Sequence, residues 1–416
     1  MTLHIPPSLL HRRFRLLWYG QMISIVGTQM QVWALLWHIR TLTNQPIALG
    51  GIGLARIIPV IFLSFLGGVV ADVANRRKVI FITQSVMALG ALALASLTFY
   101  EKIALWQIYA LTAIQAVAVA FDNPARQALV PNLVPARDLP NAFNMNSVAF
   151  QTGSIVGPAL SGLIIAYLGQ AYVYLFNAIS FVAVLVALVM MGSVEQQIQP
   201  DQRVTVNLSA IQDGIHFILA QPIILSSMLL DFFATFFSSA NTLMPIFARD
   251  ILHVGAIEYG WLSAAQSIGA VVVALVISQV HEIRRQGPIF LISVVIFGVA
   301  TIFFGLSTLV WVAMLALVLA GAADTVSTII RNTIRQLQTP DYIRGRMTSI
   351  NQIFFMGGPQ LGEVEAGAVA QFFGAPFAVV SGGVGCILAV IWIARRWPQI
   401  ARYNGDEPKQ AGATAN

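Results

Sequence analysis

The chain has 416 residues, 57% of them hydrophobic and only 10% charged, against about 25% charged in an ordinary soluble domain. Its formal net charge of +6 comes from 23 basic residues scattered over short segments, which builds no basic domain and gives no support to nucleic acid as a partner. The single cysteine, Cys386, excludes an intrachain disulfide and any cysteine-based metal or redox motif, so no metal or cofactor is expected.

Apolar stretches long enough to cross a bilayer, roughly 20 residues at 1.5 Å rise each, recur along the whole chain. Twelve are expected, at about 14–39, 47–71, 78–99, 103–126, 141–168, 171–192, 222–248, 258–281, 287–305, 308–334, 345–373 and 375–397. A segment in lipid must satisfy its backbone polar groups internally, so these are helices, and the fold class is an all-α membrane protein. The first span follows Arg12, Arg13 and Arg15, is too long for a signal-peptide core, and is read as retained. With a cytoplasmic N-terminus and alternating spans, 19 of the 23 Lys and Arg fall on or beside the cytoplasmic face. That asymmetry predicts cytoplasmic N- and C-termini.

In chain order, span two contains Arg56 and runs into "GGVVADVANRRK", which places Asp72 just ahead of Arg76, Arg77 and Lys78. Asp72 reads as an interfacial charge that helps fix topology. Span four ends in "AFDNPARQALVPNLVP", where Asp122 lies one helical turn from Arg126 and can pair with it. Span five carries "GSIVGPALSG", with Gly153, Gly157 and Ser161 one turn apart and Pro158 between. Small residues at that spacing let helices approach closely, and the proline bends the helix.

The longest polar stretch, "GSVEQQIQPDQRVTVNLS", divides the spans six and six. The expected organisation is therefore an N-terminal half over 1–192, a cytoplasmic linker with a short amphipathic helix over 193–221, a C-terminal half over 222–397 and an unstructured cytoplasmic tail over 398–416.

Ionisable residues deep in lipid cost about 2.5 to 3.5 kcal/mol each on insertion scales and are functional candidates. Arg56, Asp231, Asp324, Glu363 and Glu365 qualify, with Arg56 read as the only arginine deep in a span. Asp231 sits nine residues into span seven among Phe232, Phe233, Phe236 and Phe237, roughly 14 Å deep at helical rise. It is a candidate for a proton or a cationic group, with Phe236 in an aromatic wall, although at least half of those rings must face lipid or core. Asp324, in the cytoplasmic half of span ten, serves either the cavity or a helix contact. In "GGPQLGEVEAG" the two glutamates are two positions, about 200°, apart and cannot share a helix face. Glu365 falls with Gly358, Gly362 and Ala366, a packing stripe; Glu363 falls with Gln352, Met356 and Pro359, the wetter side.

A shift of 205 residues lays Arg126 over Arg331, Asn146 over Asn351, Gly153 over Gly358, Gly157 over Gly362 and Gly162 over Gly367. These coincidences predict two pseudo-symmetric six-helix halves, which is a transporter signature because a substrate site forms between such repeats.

The whole chain resembles a major facilitator superfamily transporter in its six-plus-six spans, central loop and "GGVVADVANRRK" motif, where Val73 and Asn75 depart from the usual residues. "AFDNPARQALVPNLVP" with "GSIVGPALSG" is similar to the branch of enterobactin-type siderophore exporters and macrolide and multidrug efflux proteins. The resemblance implies a latch in which Asp72 caps the start of span eleven, with Arg76, Arg77 and Arg126 taking part, and an antiporter role for the span-five glycine motif. In place of the arginine many drug/proton antiporters carry, span four has Gln115. The resemblance also implies that spans one, four, seven and ten line the cavity and that spans two and eleven pack across the halves. An Arg56 to Glu363 or Glu365 ion pair is then expected to hold the outer side closed. The implied function is export of amphipathic small molecules by a monomer in a bacterial inner membrane, in exchange for protons carried by Asp231 or Glu363. A dedicated siderophore exporter and a lipid flippase are the alternatives; no nucleophile, metal cluster or phosphate loop points to an enzyme.

Overall fold

The structure, a computed structural model, describes residues 6–196, 216–237, 240–280, 283–340 and 344–405. Among the described residues the chain is helical throughout, with no strand. Its long helices are α1 (Arg12–Leu42), α2 (Pro46–Val73), α3 (Arg76–Phe99), α4 (Leu105–Leu129), α5 (Leu139–Tyr167), α6 (Gln170–Met191), α7 (Pro222–Phe237), α8 (Ala256–Ile277), α9 (Gln286–Leu306), α10 (Val310–Gln338), α11 (Arg344–Phe373) and α12 (Ala375–Arg396). Among the described residues ten segments are long and apolar enough to cross a membrane. The other two long helices, α1 and α11, have 31 and 30 residues and carry more polar side chains, Arg12, Arg13 and Arg15 in one and Glu363 and Glu365 in the other.

Span seven is not one continuous α-helix. Beyond α7 the chain passes through a 3-10 turn at Ala240–Leu243, a short helix at Met244–Ile246 and a π turn at Phe247–Ile251. Pro245 sits in this stretch and has no backbone N–H to continue a regular ladder. The polar linker lies largely outside the described residues, and of its expected amphipathic helix only His216–Ala220 are described, as helix.

The chain divides into two compact units, Met1–Val204 with His253–Ala264, and Thr205–Leu252 with Ala265–Asn416. In the first unit α1 packs along α5 and α6, and α4 packs along both α2 and α3. The glycines of α5 make the closest approach: a Cβ on Gly153 would meet Ile25, and one on Gly157 would meet Gln29 and the backbone at Met30. The Ser161 hydroxyl, one turn on, donates to the Met30 carbonyl at 3.0 Å. The start of the chain is tied to the same unit by His11 against Asp138 at 2.7 Å and by the Trp18 indole donating to the Met145 carbonyl at 2.8 Å.

In the second unit α9 packs along α10 and α12, and α11 packs along α7. A Cβ on Gly358 would meet the Thr235 side chain and the Phe232 carbonyl of α7. The packing of Gly153 of α5 against α1 and of Gly358 of α11 against α7 thus repeats at an offset of 205 residues, since 153 + 205 = 358. The repeat extends to backbone conformation. Gly169 and Gly374 precede α6 and α12 at the same offset with φ of 93° and 87°, a region that penalises any side chain.

The chain end departs from the expected unstructured tail. Pro398–Arg402 form a short helix, Ile400 and Tyr403 are buried, the Gly287 N–H donates to the Tyr403 carbonyl at 2.9 Å, and Gln338 donates to its hydroxyl at 3.2 Å. Two apolar side chains with satisfied polar atoms are enough to dock this segment on α9 and α12.

The glycine contacts make a direct test. A Cβ on Gly321 would strike the Gln266 backbone, whereas one on Gly68 would meet nothing within 4 Å. Gly321→Ala is expected to lose about 1 to 3 kcal/mol through overpacking, read as a lowered thermal midpoint in detergent, while Gly68→Ala leaves the midpoint in place.

Candidate functional site: a buried charge cluster between α7 and α10

On α10, Asp324, Ser327, Arg331 and Arg335 follow one another at spacings of three and four, so they form a polar stripe along one face. Arg331 lies seven residues from the end of α10 and Asp231 nine from the start of α7, roughly 11 and 14 Å into the helices. The Arg331 Nη1 meets the Asp231 Oδ1 in an ion pair whose side chains are 3% and 2% exposed. Arg331 Nε is buried with no hydrogen-bond partner.

Arg335, 5% exposed, donates through Nη1 to Asn351 of α11 and through Nη2 to Asn332. Asp324 interacts electrostatically with Arg331, and Arg335 with Asp231. Two acids and two guanidinium groups therefore share one interior region of the second unit. Removing such charges from water costs several kcal/mol per ion, and mutual attraction offsets this only while the partners stay together.

Around the cluster the α7 phenylalanines form two ladders. Phe232 stacks on Phe236 at 5.9 Å, and Phe233 on Phe237 at 6.1 Å. Phe233 also meets Trp392 of α12 edge-on at 6.0 Å, and a Cβ on Gly382 would strike the Phe237 carbonyl, so the second ladder is a packing face. Phe236 belongs to the first ladder and is half-buried.

The first unit solves the same problem differently. Arg126, the counterpart of Arg331, donates through Nε to Asp122 on its own helix at 2.9 Å. The other Asp122 oxygen accepts from Thr83 at 2.8 Å and Gln84 at 3.0 Å. Arg76 donates to the Ala71 and Ala128 carbonyls at 3.1 and 3.0 Å and to Asn132 at 2.9 Å, and Arg77 to the Leu188 carbonyl at 2.8 Å. These cations tie the start of α3 to the carbonyl-rich ends of α2, α4 and α6, where the helix dipole favours positive charge. Higher up, Asn177 donates to Gln31 at 2.7 Å and Gln31 to Gln115 at 2.6 Å, a neutral amide chain joining α6, α1 and α4.

The remaining candidates divide as follows. Glu363 and Glu365 are half-buried on α11, with Gly358, Gly362 and Ala366 buried beside them. Arg56 is half-buried on α2. Gly153, Gly157 and Pro158 are buried on α5. The side chains of Asp72 and Gln352, and those at the start of α11 that the latch would engage, lie outside the described residues.

Arg56 is not the only arginine within a span, because Arg331 and Arg335 are more deeply buried. Both lie close to the end expected for span ten, 308–334, where composition groups them with the cations of helix ends, but the helix continues to Gln338. The signal that marks them is the three-four stripe from Asp324 to Arg335 and the register of Arg331 on Arg126.

A family model described as transmembrane secretion effector matches residues 6–407. The chain belongs to this family of major facilitator superfamily transporters. It is 25% identical over 400 residues to the enterobactin exporter EntS of Shigella boydii serotype 4, covering 96% of this chain and 95% of the relative. It is 25% identical over 404 residues to the EntS of Citrobacter koseri, covering 97% and 96%. Among solved structures, a bacterial homologue of the human lysosomal transporter Spinster in an inward-facing, occupied conformation superposes with a TM-score of 0.73 at 14% identity, over 94% of this chain and 98% of the other. That last likeness speaks to the fold. The family member is therefore a multi-pass membrane transporter acting on small molecules.

The charge cluster makes its own prediction. Asp231→Asn strands the Arg331 charge and is expected to destabilise the protein by about 3 to 5 kcal/mol, whereas Asp231→Asn combined with Arg331→Gln recovers most of that loss. A double-mutant cycle on thermal unfolding in detergent measures the difference; additive losses would show that the two side chains do not interact.

Proposed function

We propose that this protein is a secondary active exporter of amphipathic small molecules, working by alternating access and exchanging its cargo for protons. The observation that carries the proposal is the Asp231–Arg331 pair, buried and held between two different helices. A proton delivered to Asp231 removes the negative partner of Arg331. The guanidinium is then left to Asp324, and α7 and α10 lose the attraction that joins them. A cationic group of the cargo neutralises the same carboxylate, so proton and cargo compete for Asp231, which is the physical content of exchange. Glu363, half-buried on α11, is the rival proton carrier.

The dedicated siderophore exporter is the second reading. It is supported by the buried cations Arg331 and Arg335, which suit an anionic catecholate better than Arg56 alone, and by the near full-length similarity to enterobactin exporters. Gating in this proposal falls to an Arg56 to Glu363 or Glu365 ion pair and to a latch built from Asp72, Arg76, Arg77 and Arg126. Cytoplasmic termini in a bacterial inner membrane, and action as a monomer, complete the scheme. Charge supports the orientation: within the first unit α3 begins with Arg76, Arg77 and Lys78 and ends beside exposed Phe99 and Tyr100, basic residues at one end and aromatics at the other.

Transport in everted vesicles, with a panel of dyes, macrolides and catecholates and a pH-sensitive probe, tests the scheme. Uptake of at least one class should dissipate the proton gradient, and uptake that leaves the gradient untouched excludes proton exchange. Asp231→Asn and Glu363→Gln separate the two carriers, since only the true carrier's variant should move cargo downhill while releasing no proton flux. For the gate, Arg56→Ala should shift spin-label distances between α2 and α11 toward the outward-open range; an unchanged distribution removes the pair from the scheme.

A further inference from the structure

The first unit contains an apolar groove on helices other than those of the charge cluster. Its floor is α4, which packs along α2 on one side and α3 on the other, while α2 and α3 barely touch each other. Both seams are pinned. A Cβ on Gly67 would strike the Ala120 carbonyl, so α2 lies directly against α4, and the Thr83 hydroxyl bonds Asp122 at 2.8 Å, which fixes α3 to α4. What remains between the pinned seams is a groove of ≈ 370 Å³ lined by Val70 of α2, Val79, Ile82 and Val86 of α3, and Ile114 and Phe121 of α4. Ile82 is 61% and Ile114 47% exposed, so the groove is open along the sides of α3 and α4.

Almost no polar surface reaches this groove, which leaves a polar cargo unpartnered there and suits a hydrocarbon chain. One end of it is charged. Lys78 stands on α3 one turn before Ile82, on the same face, and is exposed. The other cations nearby are committed: Arg76 and Arg77 to backbone carbonyls, and Arg126 to Asp122. Lys78, by contrast, has no ion pair or side-chain hydrogen bond in the structure. An apolar groove of ≈ 370 Å³ with an exposed ammonium one helical turn from its lining complements a lipid whose headgroup is an anion.

We propose that the groove between α2 and α3 binds one acyl chain of an anionic phospholipid, with the phosphate held at Lys78. The lipid comes from the leaflet next to the α2–α3 connection. Because the groove floor includes the Thr83 bond to Asp122, an occupied groove would also brace the neighbouring Asp122–Arg126 pair. The site is built from first-unit helices alone and holds whether or not protons are exchanged at the α7–α10 cluster.

Native mass spectrometry of the full-length protein in detergent, titrated with dioleoyl phosphatidylglycerol or dioleoyl phosphatidylcholine, tests the proposal. Wild type should retain one phosphatidylglycerol at least about 5-fold more strongly than phosphatidylcholine, a factor of the size that one charge near a membrane surface supplies. Lys78→Ala should equalise the two lipids, and Ile82→Trp, at an exposed position that tolerates a larger ring, should fill the groove and reduce retention of both. Equal retention of the two lipids by wild type, a preference that survives Lys78→Ala, or lipid retention unaffected by Ile82→Trp would each overturn the proposal. So would a dimer that Ile82→Trp abolishes, because the groove would then be a contact between copies of the chain.

Discussion

A guanidinium group in the interior of a membrane protein cannot be left without a counterion, and the second unit is organised around two of them. Arg331 takes its partner from α7 and Arg335 takes amide oxygens from Asn332 and from Asn351 of α11. Three helices are thereby drawn to one polar region by the need to compensate charge, in a part of the chain where apolar attraction between helices is weak because lipid tails are equally apolar. The Gly358 contact lets α11 lie close against α7, and the ion pair joins α7 to α10.

The first unit shows how much depends on where the counterion is placed. Arg126 occupies the equivalent position, but its carboxylate, Asp122, stands four residues away on the same helix. No relative movement of helices can separate that pair, so it serves as a fixed structural element, further clamped by Thr83 and Gln84 from α3. The Asp231–Arg331 pair joins different helices and can be made or broken by their movement. An ancestral duplication thus left one frame, seen in Gly153 and Gly358 and in the left-handed Gly169 and Gly374, on which the two halves carry different chemistry. In the first unit Gln31, Gln115 and Asn177 bridge α1, α4 and α6 through neutral amides.

Legibility in the sequence followed the range of the interaction. The long helices and their repeat depend on composition and on local spacing, and among the described residues they begin and end within a few residues of the expected limits. The exceptions have local causes: Pro245 and the turns around it interrupt span seven, and Ile400 with Tyr403 docks a segment that composition alone presents as a polar tail. The acids Asp231 and Asp324 stood out because a carboxylate in an apolar run is conspicuous. Arg331 and Arg335 did not, since a basic residue near a helix end is the ordinary state of such proteins; their burial distinguishes them, with the stripe from Asp324 as the weaker sequence sign.

The sequence by itself determined that the chain is a membrane-spanning helical protein, built by duplication and carrying a few expensive charges, because each of these is written in hydropathy, spacing or residue type along one segment. Which charge meets which was decided by tertiary structure. Arg331 and Asp231 are 331 − 231 = 100 residues apart, and Ile82 and Ile114, which line one groove, lie on different helices. Pairings of that kind depend on the rotation of each helix about its axis, which close packing of glycines and side chains from neighbouring helices sets and which no single segment encodes.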